Sequence, residues 1–152
     1  MKLTAKGRYA VMAMADLASQ CAGHAGKRVP VSLSEIAARQ AISQIYLEQI
    51  FVSLRKAGLV ESQRGPGGGY CLTAKPALVT LDKVIAAVDE DIRARAHACT
   101  LETKQSCTGQ NAQCLTHNLW DALEGHIEGF LASVTLADVI SDNFPPLLGQ
   151  AS

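Results

Sequence analysis

Residues 32–73 read SLSEIAARQAISQIYLEQIFVSLRKAGLVESQRGPGGGYCLT. Within them, Ser32 and Glu35 have the spacing of a capping box, in which a serine caps the start of a helix and a glutamate three positions later caps the serine in return. We therefore expect a short helix that continues through residues 36–38. Residues 40–43 are expected to form the turn that follows it.

The next segment has the apolar spacing of a longer helix. Ser43 can cap this helix, and Gly58 supplies a stop signal. Its apolar residues fall at positions i, i+3, i+4 and i+7, namely Leu47, Ile50, Phe51 and Leu54. The opposite face is polar and holds Gln44, Glu48, Gln49, Arg55 and Lys56. This helix should bury one face and present the other.

The flanking residues complete a recognisable order of elements. Thr4 can cap an upstream helix whose apolar face holds Val11, Met14, Leu17, Ala18 and Cys21. Downstream, two short strands are predicted at residues 59–64 and 70–73, around a glycine-rich turn. Helix, short helix, turn, helix and β-hairpin is the order of a winged helix-turn-helix. The predicted fold class is mainly α with a small β-hairpin.

Three further helices are predicted after the hairpin. Thr80 can cap a short one, a long one begins at His117, and Thr135 can cap a last turn or two. The long helix presents an apolar stripe of Leu119, Leu123, Ile127, Phe130, Leu131 and Val134. The pattern Val-Thr-Leu-x-x-Val-Ile occurs at residues 79–85 and again at 134–140, and we interpret it as one capping solution used twice.

The net charge is formally zero, but the charges are unevenly distributed. Residues 1–75 hold ten Lys or Arg against four Asp or Glu, and residues 76–152 hold four against ten. A basic half is typical of a surface that binds a polyanion, and an acidic remainder keeps the rest of the molecule away from it. Charge that is simply solvated is the alternative, and the charge pattern alone does not separate the two.

In a helix-turn-helix, the second helix enters the major groove of DNA with its N-terminal residues at the base edges. The candidate contacts here are Ser43, Gln44, Tyr46, Glu48, Gln49 and Arg55. Because a glutamate can accept a hydrogen bond from cytosine but repels phosphate, Glu48 is predicted to determine specificity. The same geometry also serves as a scaffold or a protein-interaction module, and this alternative stays open.

The glycine-rich turn supplies a second candidate contact with DNA. An arginine at the base of such a turn can enter a narrow minor groove, while glycines allow phosphate close to the backbone. The candidates are Arg64, Gly65, Gly67 and Gly68. A nucleotide-binding P-loop is not predicted, because its glycines would be followed by Lys-Ser/Thr and a helix, whereas Tyr-Cys-Leu-Thr follows here in a predicted strand. Cys71, in the second strand, is interpreted as a packing residue.

Three of the five cysteines crowd near a histidine in a polar stretch, as Cys99, Cys107, Cys114 and His117. Thiolates and an imidazole suit zinc or an iron-sulfur centre rather than calcium or magnesium. Because this stretch lacks periodicity, we expect it to need a ligand to order it. Structural zinc, an oxidisable thiol pair and cysteines without a role remain alternatives. The gaps of seven and six residues favour a larger inorganic core over the tight knuckles of zinc sites.

Cysteine usage and hydropathy also bear on location. An odd number of cysteines fits a disulfide framework poorly. Basic residues precede an apolar stretch near the start, as in a signal peptide, but Asp16 interrupts it and an amphipathic helix explains it better. No run reaches membrane-spanning length. We expect a cytoplasmic protein with no membrane partner, and not an enzyme, because no nucleophile, base and orienting group stand at suitable spacing.

Five elements of the sequence carry a family resemblance that covers almost the whole chain. They are MKLTAKGRYA at residues 1–10, YLEQ at 46–49, RGPGGGY at 64–70, AVDE at 87–90 and CLTHNLW at 114–120. With these elements the chain resembles the IscR-type iron-sulfur cluster regulators, a branch of a large bacterial winged-helix family. The resemblance implies a homodimer that binds a double-stranded DNA operator and adjusts transcription of cluster-assembly genes. It further implies one 2Fe-2S cluster per subunit, received from the cluster-assembly machinery and held by Cys99, Cys107, Cys114 and His117.

The chain is accordingly predicted to form one structural domain with four regions. They are a winged helix-turn-helix DNA-binding region at 1–80, a short helix and cluster-binding loop at 81–117, dimerisation helices at 118–144 and a tail at 145–152. In this hypothesis, cluster assembly orders the loop and fixes the relation between the DNA-binding region and the long helix.

Two departures from the family pattern bear on the cluster and on the operator. The family's loops have five residues between successive cysteines, fewer than here, and Ile45 replaces a small polar residue. A nitric-oxide or redox sensor of the same fold, and a cluster carrier that does not bind DNA, are the rival functions.

Overall fold

The computed structural model describes residues 4–21, 28–89 and 117–145. The helices in these ranges are α1 Ala5–Cys21, α2 Leu33–Gln40, α3 Gln44–Lys56, α4 Leu81–Val88, α5 His117–Ser133 and α6 Leu136–Ser141, with a 3₁₀ helix at Pro76–Leu78. The strands β1 Val60–Gln63 and β2 Gly69–Leu72 form an antiparallel hairpin. The predicted fold class and the predicted order of elements are confirmed.

Local capping signals place the helix starts where the sequence predicts them. The Ser32 hydroxyl accepts a hydrogen bond from the Glu35 backbone N–H at 3.3 Å, and the Glu35 carboxylate accepts one from the Ser32 N–H at 2.9 Å. The hydroxyl of Thr4 likewise accepts from the Gly7 N–H at 3.0 Å, at the start of α1. The turn after α2 begins at Ala41, which adopts the left-handed conformation with φ 53°.

The β-hairpin, or wing, is anchored at its base. Its strands differ from the predicted bounds by one residue at each end. Just beyond β2, the Thr73 hydroxyl donates to the Gly58 carbonyl at 2.6 Å and its N–H to the Leu59 carbonyl at 3.2 Å. On the other side of β2, Val31 and Tyr70 exchange two backbone hydrogen bonds of 3.0 and 2.8 Å. The wing is thus tied to the segment that precedes α2.

Helix α1 lies at the centre of the hydrophobic core. It packs against α2, α3, α4, α6 and β2. The fully buried side chains of this core include Met14 and Leu17 of α1 itself and Ile36, Phe51, Val84 and Leu136 of the elements around it. Cys21 and Cys71 are buried as well, which confirms their interpretation as packing residues. One cluster of buried residues therefore continues from α1 through the hairpin to α6.

The two copies of the Val-Thr-Leu pattern lie against each other. Leu81 N–H donates to the Val134 carbonyl and Leu136 N–H to the Val79 carbonyl, each at 2.9 Å, so Thr80 and Thr135 form an antiparallel bridge. Thr135 makes a complete capping box, whereas the Thr80 hydroxyl makes no capping hydrogen bond. The interpretation as one capping solution used twice is therefore wrong at the first copy. The pattern pairs the start of α4 with the start of α6.

Helix α5 packs on α4 and leaves much of its apolar surface exposed. Val134, just after α5, is buried, and Ile127 and Leu131 are half-buried. Leu119, Trp120, Leu123 and Phe130 are exposed. Within the described ranges, no helix has the length and apolarity needed to span a bilayer.

Candidate nucleic-acid interface and metal-ligand set

Helix α3 has the two faces that a recognition helix needs. Its apolar face is buried in the core through Leu47, Ile50, Phe51 and Leu54, which fixes the rotation of the helix about its axis. Of the predicted contacts on this element, those on the surface are Ser43, Gln44, Glu48, Gln49 and Arg55, and Tyr46 is half-buried. All six therefore lie on α3 or at its N-cap and are at least partly exposed to solvent.

Ser43 and Gln44, at the start of α3, differ in the contacts that their side chains make. Ser43 stands at the N-cap position, but its side chain makes no capping hydrogen bond. The side-chain amide of Gln44 donates to the Glu48 carboxylate at 3.3 Å, one turn along the exposed face. Two candidate base contacts therefore interact with each other, and a base that engaged either one would compete with this hydrogen bond.

Tyr46 is positioned by an aromatic residue outside the predicted set of contacts, Tyr9. The rings of Tyr9 and Tyr46 meet edge to face with centroids 5.7 Å apart. Tyr9 lies on α1 and is 37% exposed. It stands in the opening element at residues 1–10, but sequence spacing alone cannot show which ring it meets across the fold.

The backbone conformation of the wing requires its glycines, whether or not they contact DNA. Gly65 and Gly67 have φ values of 104° and 76°, which residues other than glycine rarely adopt. A Cβ on Gly68 would lie 2.5 Å from the Gln63 carbonyl oxygen, and one on Gly69 would lie 2.4 Å from that of Val31. The backbone of the turn therefore requires glycine at these positions. Arg64, at the start of the turn, is exposed.

An ion pair between a buried carboxylate on α1 and a more exposed guanidinium on α2 joins these two helices. Asp16, with a side chain only 5% exposed, accepts a bidentate hydrogen bond from the Arg39 guanidinium at 2.7 and 3.0 Å. The Gln40 amide donates to the same carboxylate at 3.0 Å. The sequence signal for this pair is an acid within the otherwise apolar stretch of α1. Because Arg39 is paired in this way, its charge is less available to phosphate than that of Arg55 or Arg64.

The candidate metal ligands lie mostly outside the described residues. Cys99, Cys107 and Cys114 fall there, and His117 is the first residue of α5. The donor set itself, three thiols and an imidazole, fits an iron-sulfur centre. In the described ranges, no group of three or more His, Cys, Asp or Glu residues could hold a metal ion.

The buried Cys71 makes a poor ligand by comparison. Desolvation, followed by the hydrogen bond and charge of Cys21, raises the pKa of the Cys71 thiol to about 12. A thiol that resists deprotonation is a weak metal ligand, because the thiolate is the form that binds. The remaining three cysteines of the chain are the predicted ligands.

Known proteins share both the sequence and the fold. Residues 3–142 match the Rrf2 family, described as "Iron-dependent Transcriptional regulator". The "HTH-type transcriptional regulator IscR" of Vibrio vulnificus (strain YJ016) is 49% identical over 143 residues, which span 94% of this chain and 79% of that protein.

Two solved structures extend the comparison. "T. potens IscR" has a TM-score of 0.70 and 35% identity, covering 93% of this chain and 88% of the other. The global cysteine regulator CymR of B. subtilis has a TM-score of 0.73 and 32% identity, covering 93% and 98%. These relatives confirm the prediction of a DNA-binding transcriptional regulator rather than an enzyme. The chain belongs to the Rrf2 family.

Proposed function

We propose that this protein is a homodimeric, cytoplasmic regulator that senses iron-sulfur cluster supply and controls transcription of cluster-assembly genes. One observation carries the proposal. Three thiols and an imidazole stand between α4 and the start of α5 in a winged helix whose recognition helix presents a polar face. The similarity to proteins named IscR supports the same function.

The DNA-binding mode follows from the exposed groups of α3 and the wing. Helix α3 would enter the major groove, with Gln44, Glu48 and Gln49 at the base edges. Ser43, Tyr46 and Arg55 would contact the backbone or the rim of the site. Arg64 would reach the adjacent minor groove, where Gly65, Gly67 and Gly68 would let a phosphate approach the main chain. The basic half of the chain supplies attraction that does not depend on sequence.

The dimer is proposed to form through α5. A soluble monomer seldom exposes a cluster of large apolar side chains such as Leu119, Trp120, Leu123 and Phe130. A two-fold axis through this helix would pair two recognition helices about one turn of DNA apart, roughly 34 Å. The region boundaries given above, with dimerisation helices at 118–144, are part of this proposal.

The ligands proposed for a 2Fe-2S cluster are Cys99, Cys107, Cys114 and His117, with the cluster-assembly machinery as its donor. Because the cluster would bind reversibly, the fraction of protein that holds a cluster would follow the cluster supply. The protein's own contribution lies in the thiols, which must be deprotonated to bind iron, and in the neutral imidazole of His117. The position of His117 in the first turn of α5 ties any ligand it holds to the proposed dimerisation helix.

The test combines metal analysis with DNA binding on anaerobically purified protein. We expect iron and inorganic sulfide in equal amounts, a coloured protein, and tight binding to a duplex selected from random sequence. Arg64→Ala should weaken binding to the duplex. It should also reduce, by about one, the slope of the logarithm of the binding constant against the logarithm of the salt concentration. Lys83→Ala, which removes an equal exposed charge from α4, is the matched control and should leave both unchanged.

Each rival predicts a different result. A colourless protein that contains only zinc would favour a structural metal site and contradict cluster sensing. A cluster-containing protein that selects no DNA sequence would be a cluster carrier. A protein whose DNA binding responds only to nitric oxide or oxidants, and not to cluster removal, would be the redox sensor.

A further inference from the structure

The end of α4 is joined to the start of α1 by a short hydrogen bond. The hydroxyl of Thr4 donates to the Asp89 carboxylate at 2.6 Å, across 85 positions of sequence. The same hydroxyl accepts from the Gly7 N–H at 3.0 Å, so it serves as the helix cap and as the donor to Asp89. Asp89 is itself held in place, because its N–H donates to the Ile85 carbonyl at 2.9 Å.

The space for this contact depends on a glycine. A Cβ on Gly7 would lie 2.9 Å from the same oxygen of Asp89 that accepts from Thr4. Gly7 is buried within a helix, where glycine is otherwise unfavourable relative to alanine. The carboxylate also lies near the positive end of the α1 dipole. Thr4 and Asp89 belong to two of the elements that carry the family resemblance, at residues 1–10 and 87–90, and these elements meet here.

The hydrogen bond between Thr4 and Asp89 connects the residue that precedes the cysteine segment with α1, which packs against the recognition helix α3. Asp89 is the last described residue before the segment that contains Cys99, Cys107 and Cys114. On the other side, Tyr9 follows Gly7 by two residues and packs on Tyr46 of the recognition helix. A displacement of Asp89 would thus displace the first turn of α1. The contact between the rings of Tyr9 and Tyr46 would transmit that displacement to α3.

We propose that Asp89 is a positioning residue that couples the state of the cysteine segment to the recognition helix through Thr4 and the first turn of α1. The inference rests on the proposed function and adds the route by which cluster occupancy alters DNA binding. If the Thr4 hydroxyl only capped α1, it would not need to donate to Asp89, the residue that leads into the cysteine segment. The coupling is therefore the property to measure, and stability is the property to control.

The experiment compares the operator affinity of cluster-loaded and cluster-free protein for the wild type and for Asp89→Ala. The ratio of the two affinities in the wild type is expected to be about tenfold, within the usual range of allosteric coupling. In Asp89→Ala it should fall below about twofold, while the cluster content stays the same. Thr4→Val should act in the same direction, and Thr4→Ser, which keeps the hydroxyl, should retain the wild-type ratio.

The matched control is Asp138→Ala, which removes an equivalent capping carboxylate from α6. It should lower the melting temperature without changing the affinity ratio. A second readout needs no cluster: amide NMR shifts of residues 46–49 in cluster-free protein should change in Asp89→Ala and not in Asp138→Ala.

Two results would overturn the inference, and they can be told apart. If the wild type shows a large ratio and Asp89→Ala keeps it, the route is wrong and the proposed function stands. If the wild type itself shows no dependence on the cluster, both proposals fail.

Discussion

Among the described residues, Asp16 is the one charged side chain that the structure buries. Arg39 and Gln40 donate hydrogen bonds to its carboxylate at 2.7, 3.0 and 3.0 Å, which satisfies the acceptor oxygens that burial removes from water. This pair links α1 to the end of α2, immediately before the turn that leads to the recognition helix. It therefore sets the angle of the helix-turn-helix as well as contributing to stability.

Removal of the Arg39 guanidinium should be costly, because it leaves a buried carboxylate with one amide donor. We expect Arg39→Gln to lower the free energy of unfolding by about 2–3 kcal/mol, measured by urea denaturation. Arg55→Gln, on the exposed face of α3, is the control and should change it by less than about 0.5 kcal/mol. Equal effects of the two substitutions would show that the Asp16–Arg39 pair has no special role.

At the scale of elements, the helices that begin with capping boxes have a measurable pH signature. The hydrogen bonds from the Ser32 side chain and backbone lower the pKa of Glu35 from its usual 4.5, and those from Thr135 lower the pKa of Asp138 from its usual 3.8. A pKa that is lower in the folded state contributes stability above the unfolded-state pKa, and this contribution is lost as the pH falls through the folded-state pKa.

Glu35→Gln should therefore be less stable than the wild type at neutral pH, and the difference should shrink as the pH falls below about 4. Measurement of the unfolding free energy against pH tests this expectation. In a Ser32→Ala background, which removes the partner hydroxyl, the Glu35→Gln difference should be smaller throughout. A difference that stayed constant down to pH 3 would contradict the assignment of the cap as its source.

The elements also show which parts of the fold could be predicted. Helix starts at Thr4, Ser32 and Thr135 were predictable because a cap is formed by residues three positions apart. The bridge between Thr80 and Thr135 and the hydrogen bond from Thr4 to Asp89 were not, since both join segments more than fifty residues apart. Of the candidate site, the exposed face of α3 followed from periodicity, whereas the support of Tyr46 by Tyr9 depends on how α1 crosses α3.

At the scale of the whole molecule, α5 should determine the oligomeric state. Leu123→Glu places a charge in the exposed apolar surface of α5 and should convert a dimer into a monomer, measured by sedimentation equilibrium at micromolar concentration. Leu78→Glu is the matched control, because Leu78 is also exposed but lies on the 3₁₀ helix. It should leave the dimer intact. A wild type that is monomeric, or a Leu123→Glu variant that stays dimeric, would exclude α5 as the interface.

The central claim is that a cluster held by Cys99, Cys107, Cys114 and His117 controls how the winged helix binds DNA. The most direct measurement is the affinity of anaerobically prepared protein for its selected duplex before and after the cluster is removed, in the wild type and in a variant with all three cysteines changed to Ala. We predict a change of about tenfold in the wild type and none in the variant, which should bind as the cluster-free wild type does. Identical affinities for loaded and cluster-free wild type would contradict the claim.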